Sequence, residues 1–296
     1  MPDITAWRPV PPERQRLSAE RLVAYRDSLV ARRTTDLLVM RGGEIVHEWH
    51  ASGRGPASRH GTASLAKALV GGMSLLVGLA DGLLDLDDPA ARFIPQWRGH
   101  PLRGEVTIRQ LATHCSGIED AEAPHIDHLA LGGWMEAFWR QEPDPFTVAR
   151  DEAPFSFAPG QEYAYSNPGM AMLAYAVTAA LRGSPHADIR TLLRERIMRP
   201  MGVPDEEWSV GYERIFTVDG LPLVANWGGG AYSARAAAAV GLLLLRGGCW
   251  EGTQILPRDA VRLMLSAPCT PLPPFSEGTP ILTPGLCWWL NCDGRW

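Results

Sequence analysis

The stretch Gly61-Thr62-Ala63-Ser64-Leu65-Ala66-Lys67-Ala68-Leu69-Val70 decides how the rest of this 296-residue chain is read. Lys67 is the only lysine in the sequence; the other strongly basic side chains are all arginine. It follows Ser64 by three residues, about one helical turn, so on a helix the hydroxyl and the amine share a face. Arginine could not take that place. A guanidinium keeps its proton, whereas a desolvated ammonium can lose it and serve as a base. Ala68, Leu69, Val70, Met73, Leu75, Leu76, Val77, Leu79 and Ala80 follow, apolar on nearly all sides as in a buried helix. An unpaired buried lysine is costly, so the pair reads as a nucleophile with its activator rather than an N-cap beside a solvated cation.

Composition narrows the classes. Hydrophobic content of 46% and charged content of 21% describe an ordinary soluble globular protein, long enough for one large domain or two lobes sharing a core. A net charge of -5 with scattered arginines leaves no basic stripe for nucleic acid. The start, Met1-Pro2-Asp3-Ile4, has neither a basic nor an apolar leader region, which predicts a cytoplasmic location. The apolar run after Lys67 meets Asp81 and then Asp85, Asp87 and Asp88, and reads as too short to span a membrane. Five cysteines without a C-x-x-C pair suggest reduced thiols, and no cofactor is implied.

Outward from Ser64, Ser18 caps an amphipathic helix through about Arg33, with Leu22, Tyr25 and Val30 on one side. Leu37 to Met40 and Glu44 to Trp49, joined by Arg41-Gly42-Gly43, read as a β-hairpin. Asp85 to Pro95 is turn-rich, and Val106 to Leu111 starts another helical turn. Two strands before a long helical section imply an α+β arrangement whose antiparallel sheet is completed later in the chain.

Three other stretches offer chemistry. Thr113-His114-Cys115-Ser116-Gly117-Ile118 invites a triad, but adjacent residues point in different directions, and a tight turn ending at Gly117 is the simpler reading. His125-Ile126-Asp127-His128 lacks the spacing that puts two imidazoles on one helix face, and reads as a surface loop. The strong signal is Phe157 to Gly169. There Tyr165 and Asn167 project the same way if the segment is extended, ahead of a turn or helix at Asn167-Pro168. A phenol near a cationic amine loses its proton more easily and can join in proton transfer, while the amide can orient the lysine or a substrate carbonyl.

S-x-x-K on a buried helix followed by Y-x-N about a hundred residues later resembles the serine β-lactamase-like hydrolases. That family includes class C β-lactamases, penicillin-binding D-alanyl-D-alanine peptidases, family VIII carboxylesterases and 6-aminohexanoate-dimer hydrolases. Gly82 to Pro89, Ile108 to Ile118, Phe157 to Asn167, Arg199 to Val203 and Gly228 to Ala234 are similar, in order, to its further conserved segments, with Cys115 where threonine is usual. The resemblance implies an α+β fold in which an antiparallel sheet is flanked by helices beside a mainly helical lobe. The sheet lobe would take about residues 18–60 and 234–296 of a single domain, and the helical lobe about 61–233. It further implies Ser64 as acyl-accepting nucleophile, Lys67 as its proton acceptor, Tyr165 as proton shuttle and Asn167 as the group holding Lys67 and substrate. The Ser64 N–H would be half of an oxyanion hole. Trp227 and Trp134 are candidate pocket walls.

The family's third motif, Lys-Thr-Gly or His-x-Gly on a sheet strand, has no counterpart here. Gly285 to Leu290 looks like the strand before it, so the domain is expected to be incomplete at its C-terminal side. An unfinished sheet would present an edge prone to pairing. Half an oxyanion hole would cost on the order of a hundredfold in rate. Three readings follow. The first is a serine hydrolase acting on a small-molecule ester or amide, with no nucleic-acid or membrane partner and with oligomeric state unspecified; β-lactamase or D-alanyl peptidase activity is its variant. The second is a non-catalytic or vestigial binding protein. The third is a metal-dependent hydrolase using His114, His125, Asp127 and His128. No G-x-S-x-G elbow supports an α/β-hydrolase.

Overall fold

In a computed structural model that describes residues 3–266 and 282–291, Ser18 accepts from the Arg21 N–H and starts helix α1 (Ala19–Val30). None of its residues is fully buried, so α1 is a surface helix whose apolar side is only partly covered. Strands β1 (Asp36–Arg41) and β2 (Glu44–His50) form the expected antiparallel hairpin, closed by Gly42 and Gly43 at φ 61° and 82°. Such left-handed backbone is where glycine is favoured. After β3 (Arg59–Gly61), the Thr62 N–H and hydroxyl both donate to Gly230 O, at 2.8 and 3.1 Å, and fix the chain's entry to Ser64.

Helix then runs from Ala63 to Ala80 in three gauges. A 3₁₀ turn (Ala63–Leu65) leads to a wide π-helical stretch (Lys67–Gly72) and an α-helical part, α2 (Met73–Ala80). Every residue from Lys67 to Gly78 is buried, as the all-round apolar sequence requires. Helices α3 (Ile108–Ala112), α4 (Gly133–Arg140), α5 (Pro145–Asp151), α6 (Asn167–Ala180) and α7 (Ile189–Leu193) follow. Helix α6 is buried over Asn167–Ala179 and packs beside α2. Thr107 and Gln110 form a reciprocal capping box at the start of α3. Two glycines admit close neighbours to the Lys67 turn. A Cβ on Gly71 would stand 2.6 Å from Met170 Cε, and one on Gly72 would stand 2.6 Å from Trp288 Nε1.

The remaining elements are β4 (Trp208–Ser209), the hairpin β5 (Phe216–Val218) and β6 (Leu221–Leu223), β7 (Ala231–Ser233), α8 (Ala234–Leu245), β8 (Cys249–Trp250), β9 (Thr253–Gln254) and α9 (Arg258–Ser266). Last comes the pair β10 (Leu282–Pro284) and β11 (Trp289–Asn291). Strand β7 lies between β3 and β4, all antiparallel. Among the described residues β1–β2 and β10–β11 stay separate pairs, so the fold is mixed α+β built on small antiparallel sheets. Helix α8 packs on β1, and its Arg235 grips Glu48 of β2 through two bonds of 2.7 Å, both side chains nearly buried.

The Ala63–Ala80 helix corrects one expectation. Its eighteen residues, with mean hydropathy 1.7, are long and apolar enough to cross a membrane, so the run is not too short. Within this fold 72% of it is buried against protein.

Candidate active site

Ser64 sits in the first turn of the Ala63–Ala80 helix, behind Ala63 at φ 43°. A non-glycine residue there carries strain of the kind that clusters at functional sites. Tyr165 reaches Ser64 from the loop before α6. That loop is pinned by the Ala164 N–H to His114 O (2.9 Å), by the Ser166 N–H to His114 Nδ1 (3.2 Å) and by the Ser166 hydroxyl, which caps α6 by accepting from Gly169 N–H (2.9 Å). The Tyr165 hydroxyl donates to Ser64 Oγ at 2.6 Å.

Lys67 Nζ lies 3.3 Å from Ser64 Oγ and donates to Asn167 Oδ1 (2.6 Å) and to Trp227 O (3.1 Å). An amine nitrogen has four tetrahedral positions, one of them the Cε bond. Two carbonyl oxygens take two of the rest, and the last faces Ser64. In the neutral amine that position is a lone pair. Burial pulls the Lys67 ammonium down to about 8, against the Asp120 and Glu122 carboxylates, which favour the charged form. Lysine near 8 is a poised base at ordinary pH.

Behind Asn167 stand the two carboxylates. Asp120 Oδ1 accepts from the Asn167 N–H (2.8 Å), Asn167 Nδ2 (3.0 Å) and the Ala121 N–H (2.9 Å), and Glu122 Oε1 accepts from Asn167 Nδ2 (3.0 Å). Burial raises the Asp120 pKa above the usual carboxylate range, with Glu122 adding to it, although the Asn167 bonds pull the other way.

Tyr165 departs from the sequence expectation. Its pKa is raised, to about 12, by burial first and by Asp120 and Glu122, outweighing the Ser64 bond. Lys67 Nζ does stand 4.5 Å from its ring centroid, but desolvation decides the sign. The phenol is a proton donor at neutral pH. His114, stacked on Tyr165 with centroids 4.8 Å apart, is held down to about 3 by burial and then by Lys67, so it is an uncharged support.

A cavity of about 440 Å³ opens on these groups. One wall is helical, with Ser64, Leu65, Lys67, Ala68, His114 and Tyr165; the other is the β10–β11 hairpin, with Pro284, Gly285, Cys287, Trp288 and Trp289. The hairpin is held by the Gly285 N–H to Trp288 O (2.7 Å) and the Cys287 N–H to Ala112 O (2.8 Å).

Ser64, Lys67, Tyr165 and Asn167 are thus brought together. Trp227 does not line the cavity: its ring is 2% exposed, packed against Phe138 and Phe146, and only its carbonyl reaches Lys67. Trp134 packs, half-buried, against the core away from the cavity lining. The Gly117 turn is present at φ 83°, where a Cβ would stand 2.2 Å from Phe157 O. His128 stacks on Trp139 at 3.9 Å, far in role from His114, and no group of three metal-binding side chains forms among the described residues. Sequence reading missed Asp120, Glu122 and the hairpin wall. The available signal was an amide in the Y-x-N segment whose second end must also be satisfied.

The "Beta-lactamase" family model matches residues 23–294. The D-alanyl-D-alanine-carboxypeptidase/endopeptidase AmpH of Escherichia coli (strain K12) is 31% identical over 156 residues, covering 50% of this chain and 36% of that protein. The 6-aminohexanoate-dimer hydrolase of Paenarthrobacter ureafaciens is 24% identical over 249 residues, covering 79% of this chain and 57% of that protein. The chain therefore spans only about a third to just over half the length of these relatives. Among solved structures, a penicillin binding protein from Bacillus halodurans matches with TM-score 0.65 at 18% identity, over 91% of this chain and 84% of that one. A family VIII carboxylesterase matches with TM-score 0.59 at 18% identity, over 82% and 73%. At such identities the structural likeness speaks for the fold. A family match that runs from α1 to the last hairpin and takes in the Ser64, Lys67 and Tyr165 constellation means that this chain belongs to the Beta-lactamase family.

Proposed function

We propose that the chain is a serine hydrolase cleaving a small, neutral ester or amide through an acyl-enzyme on Ser64. The observation that carries this reading is the lysine: a single buried amine, near 8, with its one unclaimed position 3.3 Å from Ser64 Oγ. Neutral Lys67 takes the Ser64 proton as Oγ attacks the substrate carbonyl carbon. The carbonyl π bond becomes the oxyanion, which the Ser64 N–H at the helix start stabilises. Collapse re-forms the carbonyl and breaks the bond to the leaving group, which takes the Tyr165 proton; Lys67 returns its proton to Tyr165. Water then adds to the acyl-enzyme by the same relay and frees Ser64 and the acid. Across the cavity, the Gly285 and Cys287 N–H groups donate to Trp288 O and Ala112 O; this scheme uses the Ser64 N–H as the oxyanion donor.

The acyl side is read as apolar and uncharged. Leu65, Ala68, Pro284, Trp288 and Trp289 line the cavity, and Lys67, near 8, is the one group among the described lining residues that changes charge close to neutral pH. The relatives' names, a carboxypeptidase/endopeptidase, a 6-aminohexanoate-dimer hydrolase and a carboxylesterase, support hydrolysis as a class without fixing this chain's substrate. The test is turnover of short-chain nitrophenyl esters and anilides by the wild type and Ser64→Ala. Steady turnover lost by at least about a thousandfold in the variant supports the reading. A stoichiometric burst without turnover would favour a binding protein that acylates and does not release.

A further inference from the structure

We propose that Asp120 and Glu122 are positioning residues of this site: together they lock the Asn167 amide with its oxygen on Lys67 and hold the charge of the lysine in balance. The step that gives them catalytic meaning rests on Lys67 acting as the base.

The argument starts from the amide. Asn167 Nδ2 carries two hydrogens, and the two acceptors that face it are Asp120 Oδ1 and Glu122 Oε1, each at 3.0 Å. Oδ1 therefore points at Lys67 Nζ, 2.6 Å away. A flipped amide would set its oxygen against two carboxylates and its N–H groups against a cation or an amine already donating. Both ends would be repelled, so the orientation is over-determined. Asp120 also holds the Asn167 backbone N–H, at 2.8 Å, so the first residue of α6 cannot drift without breaking the same carboxylate contact.

The pair also opposes burial. Lys67 loses most of its water, which drives it toward the neutral form, and two anions beyond the amide favour the ammonium. The other titratable groups facing Lys67 are uncharged at neutral pH. His114 is held down to about 3, and Tyr165 and Cys287 are pushed up to about 12. Asp120 and Glu122 are therefore the local charges that tune the lysine, Asp120 the more strongly. A site without them would have a more weakly basic lysine that is easier to deprotonate but accepts the serine proton less readily.

The single lysine makes the test direct. Protein grown with [ε-¹³C]lysine gives one side-chain resonance, from Lys67, whose titration reads its pKa without any substrate. The expected midpoint is near 8 in the wild type. In Asp120→Asn it falls by roughly one pH unit, the effect of removing a nearby opposite charge. In Glu122→Gln it falls by less. The acid limb of kcat/KM moves to lower pH by the same amounts. A midpoint unchanged in Asp120→Asn, with lowered thermal stability alone, would assign the pair a purely structural role and overturn the proposal. Glu122 is an exposed residue, so Glu122→Gln carries the test if Asp120→Asn does not fold, and an unmoved midpoint there overturns it equally. A shifted midpoint in a protein that turns over no ester would leave the pair in place and remove the hydrolase reading instead.

Discussion

The two walls of the cavity are built in opposite ways. On the helical wall the polar groups are held by several bonds: Lys67 Nζ has Asn167 Oδ1 and Trp227 O, Asn167 has both carboxylates, and the Tyr165 loop is tied three times to His114 and α6. On the hairpin wall the cavity meets Pro284, Trp288 and Trp289, which offer shape and apolar surface. The hairpin closes on itself through Gly285 and joins the helical body through Cys287 N–H and the Trp288–Gly72 approach. Proton transfer needs atoms fixed to within fractions of an ångström, whereas sorting of acyl groups needs area. In the proposed hydrolase these demands are divided between a polar lattice and an apolar lip.

Lys67→Met breaks the first wall most severely. It keeps length and burial but removes the lone pair at Ser64, and ester turnover is expected to fall by about 10²–10⁴-fold with KM little changed. Comparable turnover in the variant would mean that Tyr165 deprotonates the serine, against a phenol pushed up to about 12. Wild-type kcat/KM should drop about tenfold per pH unit below about 8, because protonation of Lys67 removes the base, and level off above it.

Trp289→Ala sharpens the comparison from the other side. Trp289 is 52% exposed at the cavity rim, against Tyr163 with ring centroids 6.0 Å apart. Losing the ring should raise KM for longer apolar acyl esters by about tenfold, near 1.4 kcal/mol, at nearly constant kcat. A fall in kcat alone would mean that the hairpin shapes the chemistry and not only the fit.

The smallest effect is expected at Cys287, which holds φ 65° without being glycine. Cys287→Gly relieves that strain and should raise the urea midpoint slightly, by up to about 1 kcal/mol of stability. A clear loss would show that thiol packing outweighs the backbone.

What was legible in the sequence follows the same division. Ser64 with Lys67, and Tyr165 with Asn167, are local pairs whose spacing survives in one dimension, and the all-apolar face after Lys67 announces a buried helix. The Ser18 cap, the Gly42-Gly43 hairpin and the Gly117 turn were readable for the same reason. Asp120 and Glu122 were not, because they meet Asn167 from 45 to 47 residues away and resemble any other acidic residues until folded. Trp227 was misjudged because its size suggested a wall, while it acts through a carbonyl every residue possesses. The sign of the Tyr165 shift was missed because proximity to a cation can be guessed from sequence and depth of burial cannot. No Lys-Thr-Gly or His-x-Gly motif was expected from the sequence, which did not reveal that the hairpin over 282–291 supplies the facing wall.

The most direct measurement is the intact mass of the folded protein after timed exposure to a fluorophosphonate across pH 6 to about 10, spanning the Lys67 range. The account predicts one adduct per chain, formed at a rate that rises with a midpoint near 8 and absent from Ser64→Ala. An adduct that persists in Ser64→Ala, or no adduct on folded wild type, would contradict an activated nucleophile at Ser64.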